Sequence, residues 1–394
     1  MQRRSILAAA AATAAAAVLP AFGQAYDTGI SATEIKLGQS GPYSGPVSAY
    51  GIIPKSQVAY FKMVNDKGGI NGRKVTLLSL DDAYSPPKAV EATRKLVEQD
   101  QVFAIFSTMG TPANSAIQNY LNQKQIPQIV ISGAARFSDP AKAPWTLSIY
   151  PSYKIEGATF ARYVLAQKPN AKIGILYQND DSGRDFSAGF KQGLGAKAAS
   201  MVVGEVSYET SDASIGSQLL QLKSAGADVV FNAATPKFAA LAIKGMAEMA
   251  WKPLHLLTSP SSSIKSVIEP AGAANAVGAV TAVTLKSPTD PAYANDADVK
   301  EYVAFVKQYL PEADPGDFNV MIGYNSVAIM ADLLRRAGNN LTRKNLMAIA
   351  TNLPPTTYPL LLPGLKLGTD PKSYEAFSQV RLQRFDGTRY VLID

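Results

Sequence analysis

From "IKLGQS" (35–40) onward the chain repeatedly sets a short β-rich run before a loop of Gly, Ser, Thr and Pro, and then a stretch with apolar residues at helical spacing. That succession constrains the fold more than any other feature. Strands apolar on both faces need cover on both sides, and helical crossovers make neighbouring strands parallel. In the first half "IKLGQS" leads to a helix around "KSQVAYFKMVND", the turn "KGGINGRK", a strand "VTLLSLDD" and a helix "SPPKAVEATRKLVEQ". Ser85 caps that helix, Pro86 occupies its first turn, and Val90 and Val97 lie on one face. A strand "VFAIFS", a helix carrying Ala113, Ile117 and Leu121, and a strand "PQIVIS" follow. A second series begins at "AKIGILYQ". Phe186, Phe190 and Leu194 face one way on its first helix and Ile215, Leu219 and Leu222 on its second, with "DVVFNA" and "LHLLTS" as further strands. Two such series predict an α/β fold of two doubly wound parallel-sheet lobes. Near the C-terminus "SQVRLQRFDGTRYVLI" alternates instead, with Asp386-Gly387 as the turn of a hairpin. A hairpin this late, after helices such as "SVAIMADLLRRAG", predicts that the chain crosses between the lobes more than twice.

Charge, cysteine and histidine narrow the function. Residues 1–25, "MQRRSILAAAAATAAAAVLPAFGQA", read as an export signal cut near Ala25, and Arg3-Arg4 ahead of Ile6-Leu7 also fit the twin-arginine version. The apolar run is mostly alanine and falls short of the roughly 20 residues a membrane span needs. The chain has no cysteine, so neither disulfides nor a lipid anchor are expected, and a soluble protein of the periplasm follows. The formal net charge of +7 is scattered, which argues against a nucleic-acid stripe and suits a small anion. One histidine and no cysteine exclude zinc-hydrolase, Cys-His and Ser-His chemistry, and His255 in "PLHLLT" reads as a core imidazole. "SSIK" (262–265) lacks the companion triplets of SxxK enzymes, and "GLGAKA" (193–198) trails a helix instead of following a strand. Asp81-Asp82 and Asp180-Asp181 read as solvated loop caps, with metal binding or acid–base work as the other reading. No enzyme activity, cofactor or metal is expected.

In doubly wound sheets ligands bind beyond the carboxyl ends of the strands, where loops enter helices. Those loops here include "GPYSGPVSAYG", "STMGTPANS", "SGAARFSDP", "NDDSGRDF", "NAATPKF" and "LTSPSSSIK". Their backbone N–H groups and hydroxyls lie at the positive ends of helix dipoles. "STMGTPANS" is the best anion cradle, with Gly110 admitting close approach and Thr111 offering a hydroxyl as the helix opens at Pro112.

The segments "TEIKLGQSGPYSGPVSAYG", "NDKGGINGRKVTLLSLDDAYSPPKAVEATRKLV", "GTPANSAIQNYLNQKQIPQ", "PWTLSIYPSY", "AWKPLHLLT" and "LQRFDGTRYVL" closely resemble the periplasmic substrate-binding proteins of branched-chain amino-acid-type ABC transporters. The resemblance runs through the chain after residue 25. It implies a type I periplasmic binding protein fold, two lobes joined by a three-stranded hinge, with lobe one as residues 26–151 and 284–355 and lobe two as 152–283 and 356–394. It further implies a monomer that closes on a small carboxylate solute and delivers it to the permease and ATPase subunits of an inner-membrane importer. Residue by residue it carries Tyr50 to the family's pocket tyrosine and Met109, Gly110 and Thr111 to the loop that takes the ligand carboxylate. Gly133, Ala134 and Ala135 match the next carboxylate loop, and Ser182, Thr235, Ser259 and Ser261 the contacts of lobe two.

Departures from the family pattern bear on the solute. Amino-acid binders place an acid near "TSPSSS" to hold the ligand ammonium, and Thr258 to Ser263 contain none. Ala135 stands where relatives often have Thr, and Ser182 where they usually have an aromatic, which enlarges the pocket. An ammonium buried without its partner costs about 3–5 kcal/mol. The expectation therefore moves toward a carboxylate without an amine, such as an aromatic acid, with Tyr43, Tyr50 and Tyr84 as stacking surfaces. Arg136 reads as a solvated surface residue, with donation to the weakened carboxylate loop as the alternative. A sensor or receptor domain of the same fold is the alternative function.

Overall fold

The structure, a computed structural model, describes residues 26–393. The export signal read at 1–25 lies outside the described residues. The first sheet is built from β1 (Glu34–Gly41), β2 (Lys74–Asp81), β3 (Ala104–Phe106), β4 (Gln128–Val130) and β5 (Thr146–Ser148), in the order β2-β1-β3-β4-β5 with every pairing parallel. The second holds β6 (Ile173–Gln178), β7 (Val202–Tyr208), β8 (Val229–Ala233), β9 (Leu254–Leu257), β10 (Val280–Val283), β11 (Arg381–Phe385) and β12 (Tyr390–Ile393), in the order β12-β11-β10-β9-β8-β6-β7. Its strands from β10 to β7 are parallel, and the β11–β12 hairpin joins β10 antiparallel. The molecule is thus an α/β protein of two lobes. Both parallel sheets are wound alike, with the first strand of each series lying between the second and the third. That leaves a crevice at the carboxyl ends beside β1/β3 in one lobe and beside β6/β8 in the other.

The residues that form these layers are the ones the periodicity marked. Ala113, Ile117 and Leu121 are buried on helix Thr111–Gln123, and Phe186, Phe190 and Leu194 on helix Asp181–Leu194. Every residue of β3, β4 and β8 is buried, as strands covered on both faces require. Helix Phe318–Ala337, nearly all buried, packs on helix Ile52–Asp66, where Tyr60, Tyr302, Phe305 and Tyr324 form an aromatic cluster. In the second lobe helices Tyr153–Gln167 and Asp181–Leu194 cross closely enough that a Cβ at Gly157 would lie 2.5 Å from the Phe186 carbonyl oxygen.

The chain passes between lobes after β5, after β10 and again before β11. The second and third passages run beside each other, with Leu362 N–H donating to the Thr284 carbonyl at 2.8 Å and Lys286 N–H to the Leu360 carbonyl at 2.6 Å. Among the described residues no helix is long and apolar enough to cross a membrane.

Candidate ligand-binding cleft

Strand-end loops of both lobes meet face to face. From the first lobe, the turn Ser48–Gly51 buries Tyr50, and the stretch after β3 brings Met109 and Gly110 to the start of helix Thr111–Gln123. Gly110 has φ +98°, a left-handed conformation that glycine takes without strain, and no side chain caps this helix. The Thr111 hydroxyl lies 2.7 Å from Ser132 Oγ, itself 3.4 Å from the Tyr153 hydroxyl. From the second lobe come Gln178 at the end of β6, Ser182 and Phe186 on the next helix, Thr235 after β8 and Pro260 after β9. These groups enclose a cavity of about 40 Å³. A second part of about 30 Å³ shares Tyr50, Met109, Tyr153 and Pro260 with it and is also lined by Ile53, Ile131, Phe318, Asn319 and Ile322.

Of the residues singled out in the sequence, Tyr50, Tyr84, Met109, Gly110, Thr111, Ser182 and Thr235 line this cavity. Others do not. Tyr43 turns away and places its hydroxyl 2.5 Å from Ser79 Oγ on β2, so the stacking role given to it is corrected. The Gly133–Ala135 loop is also withdrawn from the lining. The Gly133 carbonyl accepts from Tyr153 N–H, the Ala134 carbonyl from Phe137 N–H, and Ala135 N–H donates to Asp185 Oδ2 at 2.7 Å. Ser261 donates to the Ala234 carbonyl, and Ser259 is held from behind, so both serve the wall instead of the lining.

What holds Ser259 is an acid the sequence reading did not find. Glu156, 1% exposed, accepts the Ser259 N–H and hydroxyl at 2.7 Å each, and the Tyr150 hydroxyl donates to Ser259 Oγ at 2.9 Å. The loop 258–263 therefore does meet a carboxylate, supplied from 103 residues earlier in the chain. Its two oxygens are already engaged. Burial pushes the Glu156 carboxyl up to about 7. Because this exceeds the ordinary value of 4.5, the folded protein keeps a proton that the unfolded chain has lost. Stability contributed by that proton is present at low pH and declines as pH rises from about 4.5 to about 7. Asp180, raised to about 6, adds a slope of the same sign, while His255, depressed from 6.5 to about 4, adds one of opposite sign between those values, in largely the same pH range. Glu156→Gln isolates the first effect. Measured by urea unfolding at about pH 5 and about pH 8, the variant is expected to lose on the order of 2 kcal/mol of the parent's decline; parallel pH dependences in the two proteins would contradict it.

Asp180 does cap its helix, accepting from Gly183 N–H at 2.9 Å and Ser182 Oγ at 2.6 Å, but it is half-buried and not the solvated cap expected. No charged side chain lines either part of the cavity. Burial holds the phenols of Tyr50, Tyr84 and Tyr150 well above their ordinary range and pushes Tyr153 up to about 12, so all stay protonated and can donate. In the second lobe Thr235 N–H already donates to the Tyr208 hydroxyl at 2.7 Å, which leaves the start of helix Thr111–Gln123 as the freer source of donors.

At the mouth the lobes are tied directly. Arg136 pairs with Asp181 at 2.9 Å, Ser115 Oγ lies 3.4 Å from the same carboxylate, and Asp185 takes Ala135 N–H. Arg136 is exposed at the surface, as expected, and is not a donor to the carboxylate loop; its Nε donates to Gln118 Oε1 of its own lobe at 2.9 Å and its Nη1 to Asp181 of the other. An exposed ion pair contributes about 0–1 kcal/mol and a charge-assisted bond to a half-buried amide about 1.5–3. The double variant Asp181→Ala, Asp185→Ala is expected to weaken solute binding roughly 5- to 50-fold, mainly through faster release. Stopped-flow dissociation checks this, and an unchanged release rate would contradict it.

Two α/β lobes whose strand-end loops enclose a small cavity without charged lining define a two-lobed binding protein. The chain belongs to the periplasmic binding protein family, whose sequence pattern it matches over residues 34–388. It is 24% identical over 328 residues to Leu/Ile/Val-binding protein homolog 1 of Brucella abortus, covering 83% of each chain. It is 25% identical over 205 residues to Leu/Ile/Val-binding protein homolog 3 of Brucella melitensis, where the match spans 50% of this chain and 54% of that relative. Among solved structures, a branched chain amino acid ABC transporter protein from Thermus thermophilus with bound valine superposes with a TM-score of 0.81 at 18% identity, over 92% of this chain and 96% of that one. A fatty acid ABC transporter substrate-binding protein from Thermomonospora curvata superposes with a TM-score of 0.78 at 22% identity, over 94% of both.

Proposed function

We propose that this protein is the solute-binding component of an ABC importer, and that its solute is a small carboxylate with an apolar or aromatic body and no ammonium. One observation carries the reading. The uncapped start of helix Thr111–Gln123, with Gly110 and the Thr111 hydroxyl, opens on a cavity that no charged side chain lines. Helix N–H groups and a hydroxyl stabilise an anion there. The acids Glu156, Asp180 and Asp317 near the cleft each already accept protein donors, so none is free for an ammonium. The aromatic and aliphatic walls formed by Tyr50, Tyr84, Phe186, Ile53 and Ile131 suit the body of such an acid. A binding protein of a fatty acid transporter shares this fold, which supports a role for it with acids that lack an amine.

In this reading lobe one (26–151 and 284–355) and lobe two (152–283 and 356–394) swing about the three passages between them, and closure excludes water from the solute. The protein is exported by its first 25 residues to the periplasm, acts as a monomer, catalyses no reaction, uses no cofactor, and hands its solute to permease and ATPase subunits. Micromolar affinity needs about 8 kcal/mol net, within reach of a few charge-assisted hydrogen bonds and one buried apolar face. Thermal-shift and calorimetric titration with benzoate, cinnamate, octanoate, leucine, isoleucine and valine test the reading. Greatest stabilisation by one of the first three is expected; greatest stabilisation by a branched-chain amino acid would contradict it.

A further inference from the structure

The second lobe carries a groove at the amino ends of β9 and β10, the opposite end of the sheet from the cleft. It has a volume of about 600 Å³ and runs between the end of helix Pro236–Glu248 and the stretch from Ala274 to Ala279. Small-molecule pockets span about 300–1,000 Å³, with apolar walls and a few placed polar groups. The walls here include Trp251, Pro253 and Val277, the last 57% exposed. Trp251 Nε1 donates to the Ala227 carbonyl at 3.0 Å, which fixes the indole. The placed polar group is His255, which lines the groove although it is only 7% exposed. The fully buried Asn232 sets its Nδ2 3.1 Å from His255 Nε2. Burial depresses the imidazole to about 4, so the ring is neutral and carries a single N–H. With Nε2 accepting from the amide, that N–H is at Nδ1. Nδ1 has no hydrogen-bond partner among the described residues and is not one of the fully enclosed unpartnered atoms, so it keeps accessible surface where His255 meets the groove.

We propose that this groove is a second binding site, separate from the cleft, for an aromatic acid. Its carboxylate takes the His255 Nδ1–H and the Lys252 ammonium, and its ring lies against Trp251, Pro253 and Val277. Lys252 is exposed and is the one charged residue of the lining among the described residues, so a cation finds no carboxylate there. A bare hydrocarbon leaves the imidazole N–H unanswered. The nearby helix end does not oppose an anion. The carbonyls of Gly245, Met246 and Ala247 accept the N–H groups of Met249, Trp251 and Ala250, and the Met249 carbonyl accepts from Lys223 Nζ at 2.7 Å. The site stands whatever solute the cleft takes.

The test is titration of the untagged, nitrogen-15-labelled protein with 2-naphthoate, followed through the imidazole nitrogens by NMR. His255 is the one histidine of the chain, so its two nitrogens give one pair of signals. Before addition they should read as the neutral ring protonated at Nδ1. 2-Naphthoate is expected to shift the Nδ1 signal saturably with a Kd of about 1 mM or tighter, and 2-naphthylmethylammonium to leave it in place. Lys252→Ala should weaken that Kd at least about threefold and Val277→Asp at least about tenfold. Both positions are exposed, so the melting temperature should be retained. No saturable shift, a ring protonated at Nε2, or an equal response to the ammonium overturns the site. A Kd that either folded variant leaves unchanged also overturns it, because the signal would then come from the cleft. None of these outcomes bears on the acid assigned to the cleft, which the thermal-shift and calorimetric series decides separately.

Discussion

Replacing Gly110 by alanine is expected to weaken solute binding at least 100-fold. Gly110 sits at φ +98° and ψ +137°, a conformation that side-chain-bearing residues adopt only under about 1–3 kcal/mol of strain. The added Cβ would also lie 2.4 Å from Tyr84 Cε2 and 3.1 Å from two further atoms of that ring. Tyr84 is a residue of the cavity wall and sits at φ +61°, so any shift of its ring reshapes that wall. Relief must come from turning the peptide at the head of helix Thr111–Gln123 or from expelling Tyr84 from the cavity wall. The first removes the donors assigned to the carboxylate and the second opens the wall beside Gln178. The fold should survive with a melting temperature lowered by a few degrees, since the strain is confined to one loop. Calorimetric titration together with a thermal melt separates the two effects; affinity within about threefold of the parent would show that the head group binds elsewhere.

Gly189→Val is expected to be the most destabilising single change in the second lobe, costing about 4 kcal/mol or more. A Cβ at Gly189 would lie 2.4 Å from both Cα and the carbonyl oxygen of Lys154, and one at Gly193 2.8 Å from Ala158 Cα. Backbone atoms cannot rotate aside as a side chain does, so helices Tyr153–Gln167 and Asp181–Leu194 must separate. Separation breaks the stacking of Tyr153 on Phe186 at 4.2 Å, which joins the two helices. Tyr153 and Phe186 are cavity walls, so binding should fall with stability. Urea unfolding with circular dichroism reads the loss, and a midpoint shift equivalent to less than about 1 kcal/mol would mean that the two helices cross less tightly than described.

Much of this architecture was legible because its causes are local. Apolar runs on both faces announced parallel strands, and Gly110, Thr111, Tyr84 and Thr235 follow strand ends, where a doubly wound sheet puts its ligand crevice. The strands that escaped the reading had weaker signals. β5 has only three residues, β10 follows a Gly- and Ala-rich stretch, and β7 is an edge strand whose half-buried Val202, Val203 and Gly204 leave no clean period. The hairpin turn was marked by Asp386-Gly387, though its loop runs to Arg389, with the Asp386 carboxylate accepting the N–H groups of Thr388 and Arg389. The missed parts of the cleft depend on residues distant in sequence. Glu156 reaches Ser259 only because two helices and a strand end converge, and an acid sought within 258–263 was bound to be overlooked. Gln178 reads as an ordinary strand residue until Asp180 is seen to orient its amide. Tyr43, by contrast, had the right composition and the wrong direction, since nothing local tells a side chain that faces the cleft from one that bonds to Ser79 on the neighbouring strand.

The central claim is that the two lobes close on a small acid held between their strand-end loops. The most direct test is the distance across the mouth. The chain has no cysteine, so Asn119→Cys and Gln192→Cys, exposed positions on helices Thr111–Gln123 and Asp181–Leu194, can carry a spin label each without competing thiols. With the tightest-binding acid of the titration series added, pulsed electron paramagnetic resonance should give a shorter and narrower distance distribution than in buffer alone. An identical distribution in both conditions, with calorimetry showing the acid bound, would contradict closure on the solute and the transport role built upon it.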